Sequence, residues 1–124
     1  MPVNYKAPDD LALNQWGLAG RWTVASDYVT ASDPGASVLY RFHARDLHLV
    51  LAPAIAGQAV HFRLTIDGHP PVDDHGTDTD PSGLGTVSEA KLYQLVRQHG
   101  AVGSHAVRIE FDTPGVKAYA FTFG

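Results

Sequence analysis

Apolar and polar residues alternate with a period of two through most of this chain. Residues 60–67 show it most plainly: Val60, Phe62, Leu64 and Ile66 fall on one side, His61, Arg63, Thr65 and Asp67 on the other. An extended backbone puts successive side chains on opposite faces, so this stretch predicts a half-buried strand. Asp67-Gly68 supplies a turn, and His69-Pro70-Pro71 stops the strand, because proline lacks the amide that a ladder needs. Val38, Tyr40 and Phe42 alternate with Leu39, Arg41 and His43, and Leu47, Leu49 and Leu51 alternate with His48 and Val50. These predict two strands joined as a hairpin around Ala44, Arg45 and Asp46. Val107, Ile109 and Phe111 alternate with Arg108 and Glu110, and a turn at Asp112-Thr113-Pro114-Gly115 follows. Residues 116–123 predict a last strand with Tyr119, Phe121 and Phe123 on one face. Residues 21–26 and 91–98 give two further strands, and 28–32 a weaker one.

That makes about eight short strands, the pattern of an antiparallel sandwich or barrel. Helical periodicity is nearly missing, and 12 glycines and 8 prolines cut the chain into short pieces. The expected fold is all-β, a jelly-roll-like sandwich. Its core should hold Phe42, Leu49, Phe62, Leu64, Ile66, Ile109, Phe111, Phe121 and Phe123. Residues 1–10 read as a lead-in linker and 11–124 as one β-sandwich module. The longest stretch without periodicity, residues 70–90, is rich in Asp, Gly, Thr and Pro; a loop of that length in a small domain is commonly functional.

Composition narrows the classes. At 124 residues and 44% hydrophobic, the chain fits one domain with a real core. Thirteen acidic and nine basic side chains leave a net charge of -4, against a nucleic-acid binder or a partner of anionic membrane lipids. No apolar run is long enough to cross a bilayer as a helix, and the first ten residues do not read as a signal peptide. Cysteine is absent, which removes a thiol nucleophile, a redox pair and a Cys-based zinc site.

Four strings then stand out: LALNQWGLAGRWTV (residues 11–24), RFHARDLHLVLAP (41–53), LYQLVRQ (92–98) and PGVKAYAFTFG (114–124). Together they resemble the C-terminal module of DipZ-type thiol–disulfide proteins, in which a thioredoxin-like domain precedes a jelly-roll module. The resemblance implies a fold of the galactose-binding or carbohydrate-binding-module type. It also implies an extracytoplasmic setting, periplasmic or at the cell surface, and a thioredoxin-like domain of the same or a partner chain as partner. The family's redox cysteines belong to the preceding domain, so no redox activity carries over.

Candidate chemistry follows from residue types. Residues 78–89 match the spacing of a calcium loop. Asp78, Asp80 and Ser82 offer side-chain oxygens, Gly83 a sharp turn, Leu84 a backbone carbonyl and Glu89 a bidentate carboxylate. No helices flank the loop, and the competing reading is a turn in which Asp side chains cap backbone amides. Seven histidines show no HxH or HExxH pattern; His43 and His61 stand on polar faces where they could be neighbours. Arg41, His43 and Arg63 share the face opposite the core, where planar hydrogen-bonding groups beside aromatic rings hold sugars. Trp16, Trp22, Tyr28 and Tyr93 are the available rings, though burial is the commoner fate of Trp and Tyr. No GxSxG elbow is present, and the acidic loop is expected to be solvated rather than catalytic. The chain reads as a non-enzymatic module. It docks to the thioredoxin-like partner domain or, alternatively, binds a glycan.

Overall fold

The alternating stretches become strands because each can bury one face while its backbone pairs on both sides. The computed structural model describes residues 2–6, 11–13, 15–100 and 102–123, with the backbone alone for 120–123. Ten strands run through the described residues: β1 (Val3–Tyr5), β2 (Trp16–Val24), β3 (Val29–Ala31), β4 (Ser37–His43), β5 (Asp46–Ala52), β6 (Val60–Ile66), β7 (Leu84–Val87), β8 (Lys91–Arg97), β9 (Ser104–Phe111) and β10 (Lys117–Phe123). The only helical element among them is a 3-10 turn, Val72–Asp74. No helix of the described residues is long and apolar enough to cross a membrane. The strands form one antiparallel path, β7-β6-β9-β4-β2-β3-β10-β5-β8, with β1 added on β2.

The path curls so that its two halves face each other. Strand β2 belongs to both: Trp16–Ala19 pairs with β4, and Trp22–Val24 pairs with β3. Between them Gly20 takes φ +83, and a Cβ there would meet the Ala36 Cα at 3.0 Å. Only glycine suits that bend. The core lies between the halves. Trp22 stands edge-on to Phe111 with ring centroids 6.2 Å apart, and Phe62 lies 6.1 Å from Phe111 on the same half as its partner strand. Phe42, Leu49, Leu64 and Ile109 are buried with them, and Ile66 packs against the cluster half-buried. The expected core residues Phe121 and Phe123 lie outside the described side chains; their backbones pair opposite Leu49 and Leu47.

Several expectations need correction. Strands β4 and β5 are no hairpin. β4 pairs with β2 and β9, while β5 pairs with β8 and β10 in the other half. Residues 44 and 45 arch over the core, because the two apolar sets (Val38, Tyr40, Phe42 and Leu47, Leu49, Leu51) face each other instead of lying side by side. Tyr119 does not share a face with the inward row. Two residues of β10, Tyr119 and Ala120, oppose the single Val50 of β5, a β-bulge that breaks the count of two, and Tyr119 is 41% exposed. Strand β7, inside the expected loop, was not visible as a period, and Val3–Tyr5 pairs with β2 where a linker was expected.

Truncating Phe62 or Phe111 to Ala removes a ring with essentially no solvent contact. Each is expected to cost about 3–5 kcal/mol, measured by urea unfolding.

Candidate functional site

The residues singled out for chemistry fall into three places. The first is the loop between β6 and β7. Asp80 follows a tight turn, and its Oδ1 accepts the amides of Ser82 and Leu84, both at 2.9 Å. Asp78 Oδ2 accepts the Gln94 amide at 2.7 Å, and Lys91 Nζ reaches its Oδ1 at 3.4 Å. Gly83 has φ +88 and sits against the Leu64 carbonyl, where a Cβ would clash. Glu89 holds the Tyr93 hydroxyl through its backbone: the carbonyl accepts at 2.7 Å and the amide donates at 3.3 Å. Among the described residues no three acidic or histidine side chains gather for a metal. Asp80, Ser82 and Leu84 thus form a capped turn, Asp78 is tied to β8, and Glu89 stands apart from them beyond β7, with the Asp78 and Asp80 oxygens engaged by backbone amides. Thr79, which sequence reasoning passed over, anchors it. Its buried hydroxyl donates to the Leu95 carbonyl at 2.9 Å and accepts the Gly76 amide at 2.8 Å.

The second place is the outer face of β7, β6, β9 and β4. Register puts Arg63 opposite Glu110, Arg108 opposite Thr65 and Leu39, and Arg41 opposite Ala106. Arg41, His43 and Arg63 therefore do share one face. Histidines 43 and 61 are not neighbours. His43 Nδ1 contacts Ser104 Oγ at 3.0 Å, and His61 Nδ1 contacts Thr86 Oγ1 at 3.1 Å, towards opposite ends of β9. At the turn Asp67 takes φ +52. Ile66 and His69 exchange both backbone hydrogen bonds, so Asp67-Gly68 is the two-residue hairpin turn that favours Asp-Gly. Asp67 Oδ1 accepts the Ala106 amide at 2.9 Å, and Oδ2 lies 2.6 Å from His105 Nδ1. Burial alone would raise this carboxyl. The Ala106 amide, the hydrogen bond and charge of His105 and the charge of Arg41 outweigh it, so its pKa is lowered.

The third place is the outer face of the other half. Tyr28 and Tyr119 lie 5.2 Å apart between centroids, and Lys117 Nζ sits 5.1 Å over the Tyr28 ring. Val50 lies opposite the Tyr119 bulge and pairs with Leu92, which is 40% exposed. Tyr28, just before β3, and Tyr119, Val50 and Leu92 on β10, β5 and β8 so make an apolar band. The expected ring Trp16 is 54% exposed at the end of β2, opposite Tyr40. Two others are corrected. Trp22 is wholly buried, with its indole N–H donating to the Ala19 carbonyl at 2.9 Å, and Tyr93 is buried with its hydroxyl bound as above. Neither offers a face to a ligand.

Set beside known proteins, the chain matches the thioredoxin like C-terminal domain family over residues 1–124, and it belongs to that family. A comparison with curated proteins gives no match. The fold is similar to part of several solved structures. One is an active site mutant of a family two carbohydrate esterase from Clostridium thermocellum, at 17% identity and TM-score 0.68, covering 90% of this chain and 31% of that one. Another is the esterase of the same family and organism in complex with cellohexaose, at 19% identity and TM-score 0.65, covering 87% of this chain and 31% of that one. A third is a family two carbohydrate esterase from Cellvibrio japonicus, at 16% identity and TM-score 0.60, covering 99% and 32%. The chain spans less than a third of those chains' length.

Two outcomes test the local chemistry. Asp80→Ala leaves two amides uncapped and should lower stability by about 1 kcal/mol, while thermal midpoints in calcium and in chelator should coincide at fixed ionic strength. A depressed carboxylate contributes stability that is lost as pH falls through its folded value. Stability should therefore decline as pH drops below the ordinary 3.8 of Asp67. Asp67→Asn, which tolerates the same turn, should flatten that limb in urea unfolding across pH.

Proposed function

We propose that this domain is a non-catalytic accessory module. It docks onto the thioredoxin-like domain of the same or a partner chain, outside the cytoplasm. The observation that carries this is the band of Tyr28, Tyr119, Val50 and Leu92 on one outer face. Outer positions of a sandwich are ordinarily polar, and a contiguous apolar patch with aromatic rings suits a protein interface. Membership of the thioredoxin like C-terminal domain family favours a thioredoxin-like domain as that partner. The chemistry of the pair would stay with the thioredoxin-like domain, since this chain has no cysteine.

A second reading is a carbohydrate-binding module. Trp16 is half exposed, and the Tyr119 ring is partly free beside Tyr28, so each offers a flat surface of the kind sugars stack on. The likeness to an esterase structure holding cellohexaose favours testing cello-oligosaccharides first.

The test is calorimetry with a separately purified thioredoxin-like domain of this family, and in parallel with cellohexaose. Docking predicts binding to the domain that Tyr119→Ala weakens about thirtyfold, the effect of losing an aromatic anchor worth about 2 kcal/mol. Binding that ignores both Tyr119→Ala and Leu92→Lys would remove this face from the interface. Cellohexaose binding lost in Trp16→Ala or Tyr119→Ala would favour the second reading.

A further inference from the structure

The face opposite the apolar band has its own pattern. On β6, β9 and β4 the register sets Arg63 level with Glu110, Arg108 two residues further along β9, and Arg41 level with Ala106, two residues further again. Each step moves one strand sideways and two residues along, so the three arginines stand in a straight diagonal row. Diagonal neighbours on one face are about 7–8 Å apart, within reach of long side chains acting together.

None of the three is in an ion pair among the described residues, although Glu110 stands directly across from Arg63. Four other basic side chains are occupied. Arg45 and Arg97 flank Asp46, Lys91 reaches Asp78, and Lys117 covers Tyr28. Arg108 donates from Nε to Ser37 Oγ at 3.2 Å, which steadies the guanidinium and leaves its two Nη groups free. In a chain of net charge -4, three guanidiniums in line without a direct ion pair, of which Arg41 also feels the charge of Asp67, are a local concentration of positive charge.

We infer that this row binds an anionic, linear glycan, one carrying carboxylate or sulfate groups along its length. Guanidinium groups match such oxyanions with two parallel hydrogen bonds. Thr65 opposite Arg108, and His61 with Thr86 beyond Arg63, add partners for sugar hydroxyls. No aromatic ring stands among these residues, so stacking on a neutral sugar has no platform here. Apolar surface there comes from half-buried Leu39 and Ala106 and from Leu84 at the β7 margin, too little for the central anchor that a protein partner uses. The site goes beyond the docking reading and lies on the other half of the sheet, so either can fail alone.

The test is affinity electrophoresis of the whole chain in gels holding polygalacturonate, dextran sulfate, unmodified dextran or poly-glutamate, at low and raised salt. The expected result is retardation by polygalacturonate, dextran sulfate or both, relieved by salt, with none in dextran. Retardation by one alone identifies which oxyanion the row takes. Arg63→Gln should weaken it about tenfold with an unchanged melting midpoint, the loss of one charged hydrogen-bond pair. Glu110→Gln should strengthen it. Passage of the wild type through both polyanions unretarded overturns the inference, as does retardation that Arg63→Gln and Arg41→Gln leave intact. Equal retardation by poly-glutamate overturns the glycan assignment and gives the face to an acidic polypeptide.

Discussion

Strand β2 has to serve two sheets, and Gly20 is where it changes from one to the other. The bend needs a positive φ and an empty Cβ position against Ala36. Everything else follows from that crossing. Because Trp16–Ala19 and Trp22–Val24 pair with different neighbours, nine strands of the described residues form one curled path, with β1 added on β2, instead of two independent layers. Curling brings Trp22 from one half onto Phe111 of the other and seals a single core. It also leaves two outer faces, whose side chains are free to differ because neither contributes to that core.

The strands with strict alternation were legible, and for a physical reason. Val60, Phe62 and Leu64 must all go inward if any does, since the pleat has a period of two. The same rule placed Arg41, His43 and Arg63 on a common face. What the period does not carry is partnership. Nothing local distinguishes an arch at residues 44 and 45 from a hairpin, because the difference lies in which strand is hydrogen-bonded, not in which side is apolar. Arg108 was passed over for the same cause. Its place between Arg63 and Arg41 exists only once β9 is known to run between β6 and β4.

Rings were the harder case. Trp22 and Tyr93 look alike in the sequence to Trp16 and Tyr28, and composition cannot separate a ring that fills the core from one at its rim. Tyr119 turned outward through a bulge, which adds a residue without marking it in the pattern of apolar positions. The loop after β6 was ambiguous in another way. Its aspartates have the spacing of cation ligands and equally the spacing of amide caps; the tie-breaker is Thr79 and Gln94, which pull the loop onto β8.

That same loop has a consequence for how the molecule lives among copies of itself. β7 and β8 are the two ends of the strand path, and an end strand offers unpaired amides and carbonyls to any passing chain. Here residues 75–78 lie along β8. His75 bridges to Val96, the Gly76 amide reaches the Leu95 carbonyl at 3.0 Å, and the Asp78 amide reaches the Gln94 carbonyl at 3.0 Å. The loop occupies the groups through which a second molecule would add a strand. At the β8 end of the path, a copy of the module therefore meets this loop where it would otherwise meet open amides and carbonyls.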